Sequence, residues 1–277
     1  CLLIDFYDDP ATIPQAEIVN YCNSDTYTGY GNNGSVKKYF QDNSNNLLTY
    51  TNLVTVYIRM VQPKTYYNDT SKSAGLQGNL LITNAVAIMK ALPNYATEIA
   101  PAFSNLTVDG SGLATACNVF YAGGNGGVWS YGLWPHSSAL SIKQELVSGV
   151  TLFRYQLTNI GSSLAISTFC HENGHMLCGF PDIYDYEYDS TGGAGSFCLM
   201  DYGGSGNNPL QICAYLKRAS GWATTIELTS SSSLLATLSS SGEGFNQFYR
   251  YAKPGVPTEY YLFENRQKKG RDASLPA

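Results

Sequence analysis

Ser162-Ser-Leu-Ala-Ile-Ser-Thr-Phe-Cys-His171-Glu172-Asn-Gly-His175-Met-Leu-Cys-Gly179 reads as one helix between a serine cap and a glycine stop, with Pro181 beyond. Leu164, Ile166, Phe169 and Cys170 supply its apolar positions. His171 and His175 stand one turn apart, so both imidazoles fall on one helix face and can reach a single metal ion. Glu172 is displaced around the axis, placed to take a proton from an activated water rather than to bind the metal. Phe169 and the pair Met176-Leu177 flank the imidazoles, which a fully solvated helix would not carry. The stretch therefore predicts a half-buried zinc site lining a cleft.

A catalytic zinc takes three protein ligands and keeps one position open. Beyond the helix the chain runs Gly179-Phe-Pro-Asp182-Ile-Tyr-Asp185-Tyr-Glu187-Tyr-Asp189. A glycine at the helix end swings the chain back beneath the metal, so Asp182 is the expected third ligand. Asp185, Glu264 and His136 (the one remaining histidine) are the alternatives. Asp182, Asp185, Glu187 and Asp189 would repel one another without a cation, so a calcium ion nearby is one expectation and a solvated acidic loop the other. Farther on, Ser196-Phe-Cys198-Leu-Met200-Asp-Tyr202-Gly-Gly reads as a tight turn. Its methionine lies at the distance where such a turn supports the ligands in one class of zinc peptidase.

Composition agrees with a folded, tyrosine-rich globular protein and excludes other classes. The 277 residues hold 16 Lys and Arg against 21 Asp and Glu, for a net charge of −5. Without a basic stripe to neutralise phosphates, nucleic acid is not a partner. Charged residues make up 13% of the chain and aromatic residues another 13%, the reverse of a disordered composition. Apolar runs such as Leu80-Leu81-Ile82 fall well short of the roughly 20 residues of a membrane helix. The expected partners are protein or peptide substrates, and the expected state is a monomer. Seven cysteines, with few lysines and much Ser, Asn and Tyr, predict a secreted protein in an oxidising setting. Their odd number leaves at least one thiol unpaired.

Along the chain, residues 2–7 predict a strand, and Thr12 a cap for a helix over 13–22. A second helix fits 35–42, followed by strands at 47–51 and 54–60. Residues 74–92 have helical spacing and stop at Pro93, and a strand runs through 114–121. A glycine-rich turn at 123–127 precedes an aromatic stretch, 129–134. This alternation predicts an α/β sheet covered by helices. After about residue 222 alternating apolar residues suggest strands, with the serine runs at 230–233 and 239–241 as turns. One catalytic domain is expected, with an upper part over 1–179 and a lower β-rich part over 180–277, truncated at its end.

With these residues in view, the chain resembles the immune inhibitor A-like metallopeptidases, secreted zincins close to the metzincins. The likeness rests first on His171-Glu-Asn-Gly-His175-Met-Leu-Cys-Gly-Phe-Pro-Asp182-Ile-Tyr-Asp185. Leu2–Asp8, Ser35-Val-Lys-Lys-Tyr-Phe, Val108-Asp-Gly-Ser-Gly through Phe120-Tyr-Ala-Gly-Gly, Trp134-Pro-His136 and Glu259-Tyr-Tyr-Leu-Phe-Glu264-Asn-Arg266 are similar to further family stretches in the same order. The resemblance implies a zincin fold and secreted endopeptidase activity, with His171, His175 and Asp182 on zinc and Glu172 as base. It also implies that Met200 forms the methionine turn and that Tyr202 aims at the developing oxyanion, a role His136 could share. The stretch from His175 to Asp182 is one residue longer than the short metzincin pattern. If the Met200 turn underlies the zinc, Cys178 and Cys198 come close and are the expected disulfide; Cys170 with Cys213 is the second expectation. Two rival functions use the same residues: a zinc hydrolase of non-peptide amides, and a binding module without catalysis. The second would be expected to lose Glu172 first.

Overall fold

Leu2–Phe6 (β1) is buried at every position, as a strand covered on both faces must be. It pairs in parallel with Tyr57–Met60 (β2) on one side and Asn118–Ala122 (β3) on the other. β3 pairs in parallel with Val150–Ile160 (β5), and His136–Val147 (β4) closes the edge antiparallel to β5. The result is a curled five-stranded sheet of order β2-β1-β3-β5-β4 in a mixed α/β chain. The computed structural model describes residues 1–187, 189–190, 192–203, 206–229 and 246–276, so the serine runs at 230–233 and 239–241 lie outside the described residues.

Alternation along the strands divides the core in two. Ile4, Phe6, Val119, Tyr121 and Leu157 face one side, against Leu81, Ile82, Ala85 and Met89 of the helix Ala74–Lys90. Leu3 and Phe120 face the other side. They meet Ile18 and Tyr21 of Gln15–Asn23 (α1), Phe40 of Val36–Ser44 (α2), and Ile166, Phe169 and Cys170 of the histidine helix. Two short helices, Lys64–Tyr67 (α3) and Ala100–Phe103 (α5), flank Ala74–Lys90 (α4) in the chain. The histidine helix (α6) spans Ile166–Cys178, and Ala214–Ala219 is α7. A second sheet, Thr224–Glu227 (β6), Gln247–Lys253 (β7) and Val256–Phe263 (β8), follows in the order β6-β7-β8. Strands thus follow residue 222. Among the described residues no helix is long and apolar enough to cross a membrane.

Several local expectations are corrected. Thr12 does not cap α1: Pro14 holds the cap position with extended ψ of 147°, where its missing N–H costs nothing. Residues 47–51 form no strand, because Ser44 Oγ binds Leu48 N at 2.8 Å and Tyr50 turns inward to Asn173. The β4–β5 hairpin was not foreseen, although 138–147 and 150–160 flank a two-residue Ser148-Gly149 turn whose glycine has φ of +81°. All seven cysteines are free thiols, so neither Cys178 with Cys198 nor Cys170 with Cys213 is joined. The Met200 turn also runs along residues 210–213, which sets Cys198 beside Cys213.

Candidate metal centre

α6 starts at Ile166 rather than at the serines, with Ala165 at its cap position and no side-chain cap of its own. The cap comes from far away: Asn32 Oδ1 accepts from Ile166 N at 3.1 Å while its Nδ2 donates to Leu164 O at 2.9 Å. At the other end Gly179 is left-handed, φ 65°, and the amide of Phe180 donates back to Gly174 O. That reversal carries Asp182 under the two histidines.

His171 Nδ1 meets Leu199 O at 2.9 Å and His175 Nδ1 meets Phe180 O at 2.6 Å. Each ring therefore uses its Nδ1 proton on a backbone carbonyl and presents an Nε2 lone pair. The two Nε2 atoms are 3.2 Å apart, and Asp182 Oδ1 lies 3.0 Å from one and 3.2 Å from the other. That oxygen is buried without a hydrogen-bond partner, while Tyr186 OH donates to Oδ2 of the same carboxylate. Three donor atoms thus converge on one point, as the ligands of a single metal ion would. Ligand bonds of about 2.0–2.1 Å in a tetrahedron put donor atoms roughly 3.3 Å apart, so these residues fit zinc. Among the described residues no other group of three His, Cys, Asp or Glu side chains could hold a metal.

The charges respond to this crowding. Burial alone would lower the pKa values of His171 and His175, but Asp182 and Glu172 outweigh it and raise both. Burial would raise Asp182; the two histidines against one of its oxygens and Tyr186 on the other hold it well below the usual carboxylate range instead. Glu172 is only 7% exposed, and burial pushes its carboxyl up to about 6. A carboxylate so poised is a competent proton acceptor near neutral pH.

Met200 lies beneath the helix, fully buried, and its Sδ would sit 2.7 Å from a Cβ on Gly174. The turn around it closes through Asp201 N and Gly203 N on Cys198 O. The site opens into a cleft of about 1000 Å³. Trp129, Trp134, Tyr184 and Tyr202 line it, with Trp129–Trp134 centroids at 5.7 Å and Tyr184–Tyr202 at 6.1 Å. Tyr202 is 63% exposed there.

The other candidates stand apart from the triad. His136 lines the same cleft, but Trp134 O holds its Nδ1 at 2.7 Å and Tyr155 OH its Nε2 at 2.8 Å. Burial lowers its pKa, and both of its ring nitrogens are engaged away from the triad. Asp185 accepts from the amides of Glu187 and Ser190, and Glu264 accepts from Ala214 N at 2.9 Å. Asp185 thereby ties the acidic stretch together through backbone amides. Sequence reasoning missed Asn32 as the cap and the Leu199 and Phe180 carbonyls that set the ring tautomers. Nothing local in the sequence marks the bond of Tyr186 to Asp182. No protein-family model matches the chain, and no curated protein matches it.

Proposed function

We propose that the chain is a secreted zinc endopeptidase with a zincin fold, of the immune inhibitor A-like kind, that hydrolyses internal peptide bonds. The observation that carries this reading is the convergence of His171 Nε2, His175 Nε2 and Asp182 Oδ1 beside a buried glutamate at the floor of an open cleft. The chemistry a zinc ion supplies at such a triad is Lewis acidity toward a water and toward the substrate carbonyl. Glu172 accepts the proton of the attacking water and returns it to the leaving amine nitrogen. Tyr202, exposed on the cleft wall, donates its hydroxyl to the oxygen that gains charge. Met200 and the Leu199 carbonyl hold α6 and the His171 ring from below.

Casein digestion by the purified chain tests the reading. Cleavage is expected to stop with a chelator, to return with zinc, and to be absent from Glu172→Ala. Cleavage that survives chelation contradicts it. Hydrolysis of a peptidoglycan fragment but of no protein would favour the non-peptide amide reading.

A further inference from the structure

The turn that carries Met200 and the segment leading into α7 run side by side. Leu199 N donates to Gln211 O at 3.3 Å and Leu210 N to Gly203 O at 2.9 Å. At the end of this ladder Cys213 N donates to Cys198 Sγ at 3.3 Å, across 15 positions of chain. The Cβ of Cys213 is two bonds from that nitrogen, so rotation about χ1 sweeps its sulfur past Sγ of Cys198. Both residues have extended backbones, φ −146° and ψ 142° at Cys198, φ −70° and ψ 161° at Cys213, which leave the side chains free to turn toward each other. We propose that Cys198 and Cys213 are a disulfide site, closed by a low-molecular-weight disulfide as oxidant, which ties the turn under the histidine helix to α7.

The two thiols differ in a way that suits stepwise exchange. The hydrogen bond from Cys198 lowers the Cys213 pKa to about 7, while its counterpart raises Cys198 well above the ordinary thiol value. Cys213 is partly exposed and Cys198 buried. The Cys213 thiolate attacks one sulfur of the small disulfide, forming a mixed disulfide and releasing one small thiolate. Cys198 then gives up its proton and attacks the Cys213 sulfur, and the second small thiol leaves. Two protein thiols are oxidised, and one small disulfide is reduced to two thiols. By contrast, burial pushes Cys22 and Cys178 up to about 12 and Cys117 up to about 11, so these stay protonated and slow to react. No step involves the metal centre, so this site stands or falls apart from the zinc reading.

Disulfide mapping of the full chain tests it. The protein is equilibrated with oxidised glutathione, unfolded in denaturant at once with iodoacetamide so that every free thiol is blocked, and digested with chymotrypsin. A peptide pair joining Cys198 to Cys213, separated by reduction, is expected, with Cys170 and Cys178 carrying the label. In the reduced chain near neutral pH, Cys213 is expected to be alkylated before Cys178 and Cys198. Label on both Cys198 and Cys213 after oxidation, or a bond from Cys198 to any other cysteine, overturns the proposal. The wild-type map decides the matter; Cys213→Ser adds a control in which Cys198 stays unbridged.

Discussion

Tyr186 decides which oxygen of Asp182 faces the histidines, because it occupies the other one. Removing that hydroxyl frees the carboxylate to rotate. Tyr186→Phe is therefore expected to weaken zinc binding by about 10- to 100-fold, the range for groups that orient metal ligands. Competition against a chelating indicator measures this, and unchanged affinity would show that the carboxylate is positioned by the loop alone. Glu172 makes the opposite test. Glu172→Gln preserves shape and removes the proton acceptor, so zinc affinity should hold while cleavage falls by roughly a hundred- to ten-thousand-fold. Loss of both together would place Glu172 among the structural supports. His171, His175 and Glu172 were legible from sequence because their geometry is local to one helix. Asp182 was legible as the favoured carboxylate, yet Asp185 and Glu264 fell away only when the chain reversal at Gly179 was in view.

At the scale of elements, α6 depends on a cap that no local pattern announces. Asn32 lies 134 residues from the amide it serves. Asn32→Ala would leave Ile166 N and Leu164 O buried without that partner, a cost of about 1–3 kcal/mol. A lowered unfolding midpoint with unchanged helix content is expected in thermal melts; an unchanged midpoint would mean water replaces the side chain. The same element explains why Ser162 and Ser163 misled: a serine cap is a local signal, and a tertiary contact outcompeted it. The β4–β5 hairpin was missed for a different reason. Its strands alternate apolar and polar residues around Ser148-Gly149, but register shifts between Ala139 and Gln144 and between Glu145 and Val147 break the period. Gly174 is constrained by packing rather than conformation. Its Cβ would stand 2.7 Å from buried Met200 Sδ, so Gly174→Ala should cost about 1–3 kcal/mol by overpacking.

Over the whole molecule, buried charge ties the last described segment to the body and braces it internally. Arg271 Nε reaches Asp42 at 2.9 Å and Arg266 Nε reaches Asp272 at 3.0 Å, while Lys217 Nζ donates to Asn246 at 3.0 Å. Burial lowers the Lys217 pKa to about 8, against roughly 10.4 in an unfolded chain. Between those values the unfolded chain holds the extra proton, so this residue's contribution to stability rises with pH through that window. Below about 8 the ammonium is charged in both states and its burial opposes folding in full. Melts of the wild type and Lys217→Met should therefore diverge in favour of the wild type as pH climbs from about 8 to about 10; parallel curves would refute the shift. The α/β alternation was readable because it needs only short apolar periods, whereas this network joins residues more than 200 positions apart. The central claim is the zinc triad, and the most direct test is the metal content of the purified chain after equilibration with trace zinc, read by plasma mass spectrometry. One zinc per wild-type chain and none in a His171→Ala/His175→Ala chain is the predicted result; no zinc in the wild type, or equal zinc in both, would contradict it.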